Sequence, residues 1–92
     1  MSSIESAIVS LMGREVVVDV SGPFVFAGTL VDLDQNVLSL ERADVHDLRD
    51  STTTRERYIM ETRMHGVRVN RQQTFVLLHQ VVSVSALEDV LA

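Results

Sequence analysis

Apolar positions along the chain recur at two spacings, one helical and one alternating. Ile4, Ile8, Leu11 and Met12 follow the helical spacing. Ser2 or Ser3 stands where a cap belongs, and Glu5 follows Ser2 by three residues as in a capping box, with Gly13 as the stop. A helix this short is not stable alone, so it must dock. From Glu15 the period changes to two. Val16, Val18 and Val20 point one way, and Glu15, Val17 and Asp19 the other. Ser21-Gly22-Pro23 reads as a turn, and Phe24–Leu33 as a second strand. That strand is largely apolar on both faces. Phe24, Phe26, Gly28, Leu30 and Asp32 share one face; Val25, Ala27, Thr29, Val31 and Leu33 share the other. A glycine inside a strand commonly marks a bulge or barrel corner, which makes Gly28 the expected bend. Asp34-Gln35-Asn36 is a tight turn. A third strand runs from Val37 to Ala43, extending toward Val45, with Leu38 and Leu40 inward.

Residues 47–54 are polar and read as a loop. Thr53 with Glu56 forms a second capping box. Tyr58, Ile59, Met60, Arg63 and Met64 fit a helical stripe ended by Gly66, while Tyr58, Met60, Thr62 and Met64 also fit one face of a strand. Periodicity leaves both open; the capping pattern favours a helix over about 54–65. Extended structure resumes at Gly66–Asn70. Thr74–Leu78 and Val81–Ser85 are strands on either side of His79-Gln80, and the tail from Ala86 forms a closing turn. The expected fold is mostly β: one domain over 1–92, an N-terminal helix and five strands in a strongly bent, SH3-like open barrel.

Size and charge sharpen this picture. A chain of 92 residues buries only about 60–65% of its unfolded surface. Cysteine is absent, so neither disulfides nor a cysteine zinc site can brace it. Self-association is the remaining brace. No apolar run approaches the ~20 residues of a membrane span, and the polar, uncharged start is unlike a signal peptide. The expectation is a cytoplasmic protein with no membrane partner. Thirteen acids face eight bases, all arginine, for a net charge of -5. That balance disfavours non-specific binding to long duplexes. Arg55, Arg57, Arg63, Arg68 and Arg71 cluster behind Glu41, Asp44, Asp47 and Asp50, where they either recognise phosphate or carboxylate or pair with those acids on a solvated face.

Element order and motifs together resemble the Sm/LSm family of small barrels, which form rings and often bind RNA. The first Sm motif corresponds to Gly28-Thr29-Leu30-Val31-Asp32-Leu33-Asp34-Gln35-Asn36-Val37-Leu38, entered through Leu11-Met12-Gly13-Arg14-Glu15-Val16-Val17-Val18. Thr74–Ser85 is similar to the second motif, and Leu77-Leu78-His79-Gln80-Val81-Val82-Ser83 to the matching segment of the bacterial Sm-like RNA chaperone Hfq. The likeness spans 4–45 and 67–86 and leaves 46–66 as an insertion. Two departures stand out. The family has three residues, including a stacking aromatic or histidine, between aspartate and asparagine, where this chain has only Gln35. The arginine-glycine pair of the second motif is reduced to Arg71-Gln72. The resemblance implies a homo-oligomeric ring in which the 74–78 strand of one copy pairs with the 81–85 strand of the next, through Thr74, Phe75, Val76, Leu77, Leu78, Val81, Val82 and Val84. It implies RNA contacts at Asn36, Arg71 and His79.

Other chemistry is sparse. Asp44 and His46 share a strand face, but two ligands do not make a zinc site, and no metal or other cofactor is expected. His65 reads as a helix end and His79 as a turn residue. Ser39, Ser83 and Ser85 lack a nucleophile elbow, and no phosphate-binding loop is present, so no enzyme is expected. Asp32 and Asp34 read as solvated turn carboxylates, and Tyr58, Met60 and Met64 as packing residues. Two functions follow: a ring that binds single-stranded RNA, or a ring that acts as a protein-interaction scaffold with 44–71 as its partner surface.

Overall fold

The computed structural model describes residues 3–91, with side chains from Ser6 onward. Helix α1 (Ser3–Val9) leads through Gly13 (φ 82) into strand β1 (Glu15–Val20). Strands β2 (Phe24–Leu33) and β3 (Val37–Asp47) follow. Helix α2 (Arg55–His65) precedes β4 (Arg71–Leu77) and β5 (Val81–Ala86). All pairings are antiparallel, in the order β4-β3-β2-β1-β5. The sheet does not close on itself, so β4 and β5 each keep one free edge.

Both sheet faces are covered, which explains why β2 is apolar on both sides. The inner face joins Ile8 of α1 to Val16, Val18, Val20, Leu30, Leu38, Leu40, Ala43 and Val76. On the outer face Val17 and Val25 pack with Tyr58 of α2 and Leu87 of the closing 3-10 turn (Leu87–Asp89). Met12 departs from the expected helical stripe. The helix stops at Val9 and Met12 points outward, while Leu11 still packs on the core. The expected cap at Ser2, Ser3 and Glu5 lies outside the residues whose side chains are described.

Bulges set which side chains reach which face. Between Leu30 and Asp32 the β2–β3 register shifts at Val31, and Leu33 thereby joins the inner core instead of sharing a face with Val25. Between Ala27 and Thr29 it shifts again. Gly28 alone faces the stretch from Glu41 to Asp44, and Arg42 adopts a left-handed backbone (φ 50). The expected bend is therefore at Gly28. Its role is to admit the neighbouring chain: a Cβ there would lie 3.0 Å from Ala43 Cα and Cβ and 3.1 Å from the Glu41 carbonyl oxygen.

The segment 55–65 is a helix, as its capping pattern indicated, but the cap is one residue later than expected. Thr54 Oγ1 accepts from the Arg57 N–H at 3.2 Å. Its buried stripe is Tyr58 and Thr62; Met60 and Met64 are exposed rather than packed. Arg55 fastens the helix start to the sheet by donating to Gly22 O (2.7 Å), Phe24 O (3.0 Å) and Asp19 Oδ1 (3.3 Å). Of the clustered arginines, then, Arg55 pairs with Asp19 of β1 and Arg57 with Glu61 of its own helix, and neither with the acids of 41–50. Among the described residues no helix is long and apolar enough to cross a membrane.

Gly28→Ala should destabilise the chain by about 1–3 kcal/mol, because β3 must retreat from the new methyl group. Urea unfolding checks this, and an unchanged midpoint would show that the close approach is not maintained.

Candidate functional site

The β2–β3 turn owes its shape to one carboxylate. Asp34 Oδ1 accepts from the N–H groups of Asn36 (2.7 Å) and Val37 (2.9 Å), and these two bonds hold the Asp34 carboxyl below its ordinary range. The turn then docks on another. Asn36 O accepts from Leu78 N–H at 2.9 Å, at the start of the 3-10 turn Leu78–Gln80 that joins β4 to β5. Gln80 extends the contact to the β1–β2 turn, accepting from Ser21 N–H at 2.8 Å through its carbonyl and from Ser21 Oγ at 2.9 Å through its side chain. Asn36 and His79, both exposed, are thereby held on adjoining turns.

Arg71 is not with them. It opens β4 opposite Ala43, six residues from Leu77, or about 20 Å of strand. Its guanidinium donates to Asn70 O. Neither the 34–36 turn nor the 78–80 turn contains an arginine, and the exposed carboxylates Asp32 and Asp34 lie in and just ahead of the first.

The residues expected at a subunit interface divide into two sets. Val76 is buried in this chain's own core, and Leu78, Val81 and Val84 pack partly against it. Phe75 (59% exposed), Leu77 (49%) and Val82 (70%) stand out from the two free-edged strands, Val82 at a bulge opposite Asp19 and Val20. Thr74 is half-buried, paired with Leu40.

No protein-family model matches the chain, and no curated protein matches it either. Among solved structures it is similar to an Sm protein from Pyrococcus abyssii, determined in complex with a uridine heptamer. The TM-score is 0.62 at 16% identity, over 94% of this chain and 99% of that one. The fold is Sm-like. Within it, residues 46–66, read from the sequence as an insertion between two Sm-like stretches, hold the end of β3, the 3-10 turn Leu48–Asp50 and α2.

Tyr58 of α2 joins residues on either side of the 46–66 segment in a second polar centre, at the far end of β3. Tyr58 OH donates to Asp44 Oδ2 at 2.6 Å, and Asn70 Nδ2 donates to Asp44 Oδ1 at 2.9 Å. Asn70 also closes the start of β4. Its N–H donates to Ala43 O (2.9 Å), its Oδ1 accepts from Val45 N–H (2.9 Å), and its Nδ2 reaches Val45 O (3.2 Å). His46 does not join Asp44 as a ligand pair; its ring stacks on Tyr58 with centroids 4.3 Å apart and planes 9° apart. No cluster of three or more metal-ligating side chains occurs among the described residues. Sequence reading found Asp44 and His46 on one face but missed Asn70, whose position ahead of a strand was the available signal.

Burial, reinforced by the hydrogen bond to Asp44, pushes the Tyr58 phenol well above its ordinary pKa. Tyr58 is the sole tyrosine and the chain has no lysine, so in the unfolded chain it is the one side chain that titrates near pH 10. A phenol raised on folding contributes stability that is complete below the unfolded pKa of about 10 and drains away as pH climbs toward the folded value. The folded chain should therefore show no tyrosinate absorbance at a pH where the urea-unfolded chain is half ionised. Coincident midpoints would remove the buried Tyr58–Asp44 bond.

Proposed function

We propose that this chain is the subunit of a head-to-tail ring, in which β4 of one copy pairs with β5 of the next, and that the ring holds single-stranded RNA at its joined turns. The observation that carries this is the open sheet. Among the described residues two strand edges lack partners, and the large apolar side chains exposed on those strands are Phe75, Leu77 and Val82. Unpaired edges that carry no proline or carboxylate and no arginine or lysine, as from Thr74 to Ser85, invite pairing with another chain, and a heterologous pairing closes into a ring when its rotation allows. Apolar burial at those edges adds roughly 25 cal/mol per Å² before the cost of association.

For RNA the support is the docking of the Asn36 turn on the His79 turn, together with the RNA-bound state of the similar Sm protein. One such contact is weak, particularly without an aromatic platform. Repetition around a ring sums weak contacts through effective concentration. The exposed Asp32 and Asp34, with no arginine beside them, favour the second reading, a scaffold for a protein partner that uses 44–71 and its exposed Met60 and Met64. Arg71, remote from the turns, fits that surface better than the RNA contact.

Light scattering should give a fixed multiple of 10.3 kDa at micromolar concentration, and Phe75→Asp with Leu77→Asp should return a folded monomer. Oligouridine should bind the assembled ring at low salt, several-fold more weakly after Asn36→Ala or His79→Ala, with affinity falling as salt rises. A folded monomer at high concentration refutes the ring. A ring that ignores every oligonucleotide at low salt leaves the scaffold reading.

A further inference from the structure

Arg55 is the first residue of α2, where a cation opposes the helix dipole. Its half-buried guanidinium turns away from the helix and spans the β1–β2 connection. Nη1 donates to Asp19 Oδ1 and Phe24 O, and Nη2 to Gly22 O, so one planar group holds the end of β1, the turn and the start of β2. The same connection grips β5 at two points. Asp19 Oδ2 accepts from Ser83 Oγ at 3.0 Å, and Ser21 donates to Gln80 through both its N–H and its hydroxyl. Between those two points lie Val81 and Val82. Val81 pairs with Val20 and Ser83 with Asp19, so Val82 has no partner on β1 and bulges outward, 70% exposed. A regular alternation from Val84, which packs on the inner core, would send Val82 inward; the bulge seats Val81 there instead. Both residues are valine, so the core is filled by the same side chain either way. The choice between them falls to the polar contacts of Gln80 and Ser83.

We propose that Arg55 is a positioning residue for assembly: through Asp19 and the β1–β2 connection it holds residues 80–83 in the bulged form whose free edge receives β4 of the next copy. This rests on the ring reading above and gives the 46–66 segment a part in it. Ser83 and Gln80 are exposed, and water competes for their hydrogen bonds. What fixes them is the state of their partners. The guanidinium on Oδ1 of Asp19 leaves Oδ2 aimed at Ser83, and its bonds to Gly22 O and Phe24 O hold the turn that carries Ser21. Without Arg55 the carboxylate turns to water and the turn loses its internal brace, so Val82 is no longer held at the edge. Seating the helix is a separate matter, because Tyr58 and Thr62 fill its buried stripe and Tyr58 bonds to Asp44.

Light scattering of the full chain over a range of concentrations tests this, with urea unfolding of every variant alongside. Arg55→Ala should raise the concentration at which half the chains are assembled by about tenfold, and Arg55→Lys, which reaches fewer acceptors, by less. Tyr58→Phe removes a hydrogen bond of the same helix and leaves the Arg55 contacts in place, so it should lower stability without moving the assembly midpoint. Arg55→Ala combined with Asp19→Ala should weaken assembly no more than the larger single effect, because both act along one path. In the Phe75→Asp, Leu77→Asp monomer, which keeps its β5 edge, Arg55→Ala should shift the amide signals of 80–83 and leave those of 43–45 in place. A wild-type chain that never assembles refutes the ring and this role of Arg55 together. A wild-type ring whose concentration dependence Arg55→Ala shares overturns the role and spares the ring. Equal weakening of assembly by Tyr58→Phe also overturns it, since Arg55 would then act through stability alone.

Discussion

Arg42 sits in left-handed backbone, a conformation that costs an ordinary residue about 1–2 kcal/mol. What it gains is a change of phase in β3. Before it, Leu38 and Leu40 face the inner core; after it, Ala43 does, while Asp44 and His46 face outward. An unbroken alternation from Leu38 would send Arg42, Asp44 and His46 into the core. The outer position of Asp44 is what Tyr58 needs, and Tyr58 is what seats α2 on the sheet. Gly28 makes the shift possible from the opposite strand, because any side chain there would collide with Ala43. The inner core and the position of the helix thus both depend on one bulge shared by two strands.

That dependence explains what was legible in the sequence. Alternation placed β1 and β2 at their observed limits, and the turn residues around Asp34 were readable from local chemistry alone. Gly28 announced its bulge because a strand glycine has few other uses. Arg42 announced nothing, since its backbone is set by the strands on either side. β4 begins at Arg71, ahead of the apolar run, because pairing opposite Glu41 and Ala43 needs only backbone groups. The stripe of α2 was misread for a related reason. The sheet face it covers includes Asp44 and His46, so the side chains that fit are a phenol and Thr62, whose hydroxyl donates to Tyr58 O at 2.9 Å, rather than two methionines. The open cleft under α2, lined by the end of β3, Ser51 and Thr53, α2 and residues 66–70, was not legible at all, because only the bulge and the docked helix bring those segments together.

The free edges and the net charge bear on one problem. Soluble proteins with exposed strands usually blunt them with lysine, proline or covering loops. Here the 74–85 segment has no proline, no lysine and no carboxylate, while thirteen acids elsewhere give the chain its negative balance. Copies that repel broadly yet adhere along two defined edges disfavour random aggregation without opposing one specific contact. Adhesion at a single edge type would stop at a dimer. In the proposed ring, two different edges, at opposite sides of an order β4-β3-β2-β1-β5, would leave each added copy with one more edge to satisfy until the last meets the first. For a domain this small, closure of the proposed ring would add apolar burial to that of its own core, so that assembly and folding stability would draw on the same side chains.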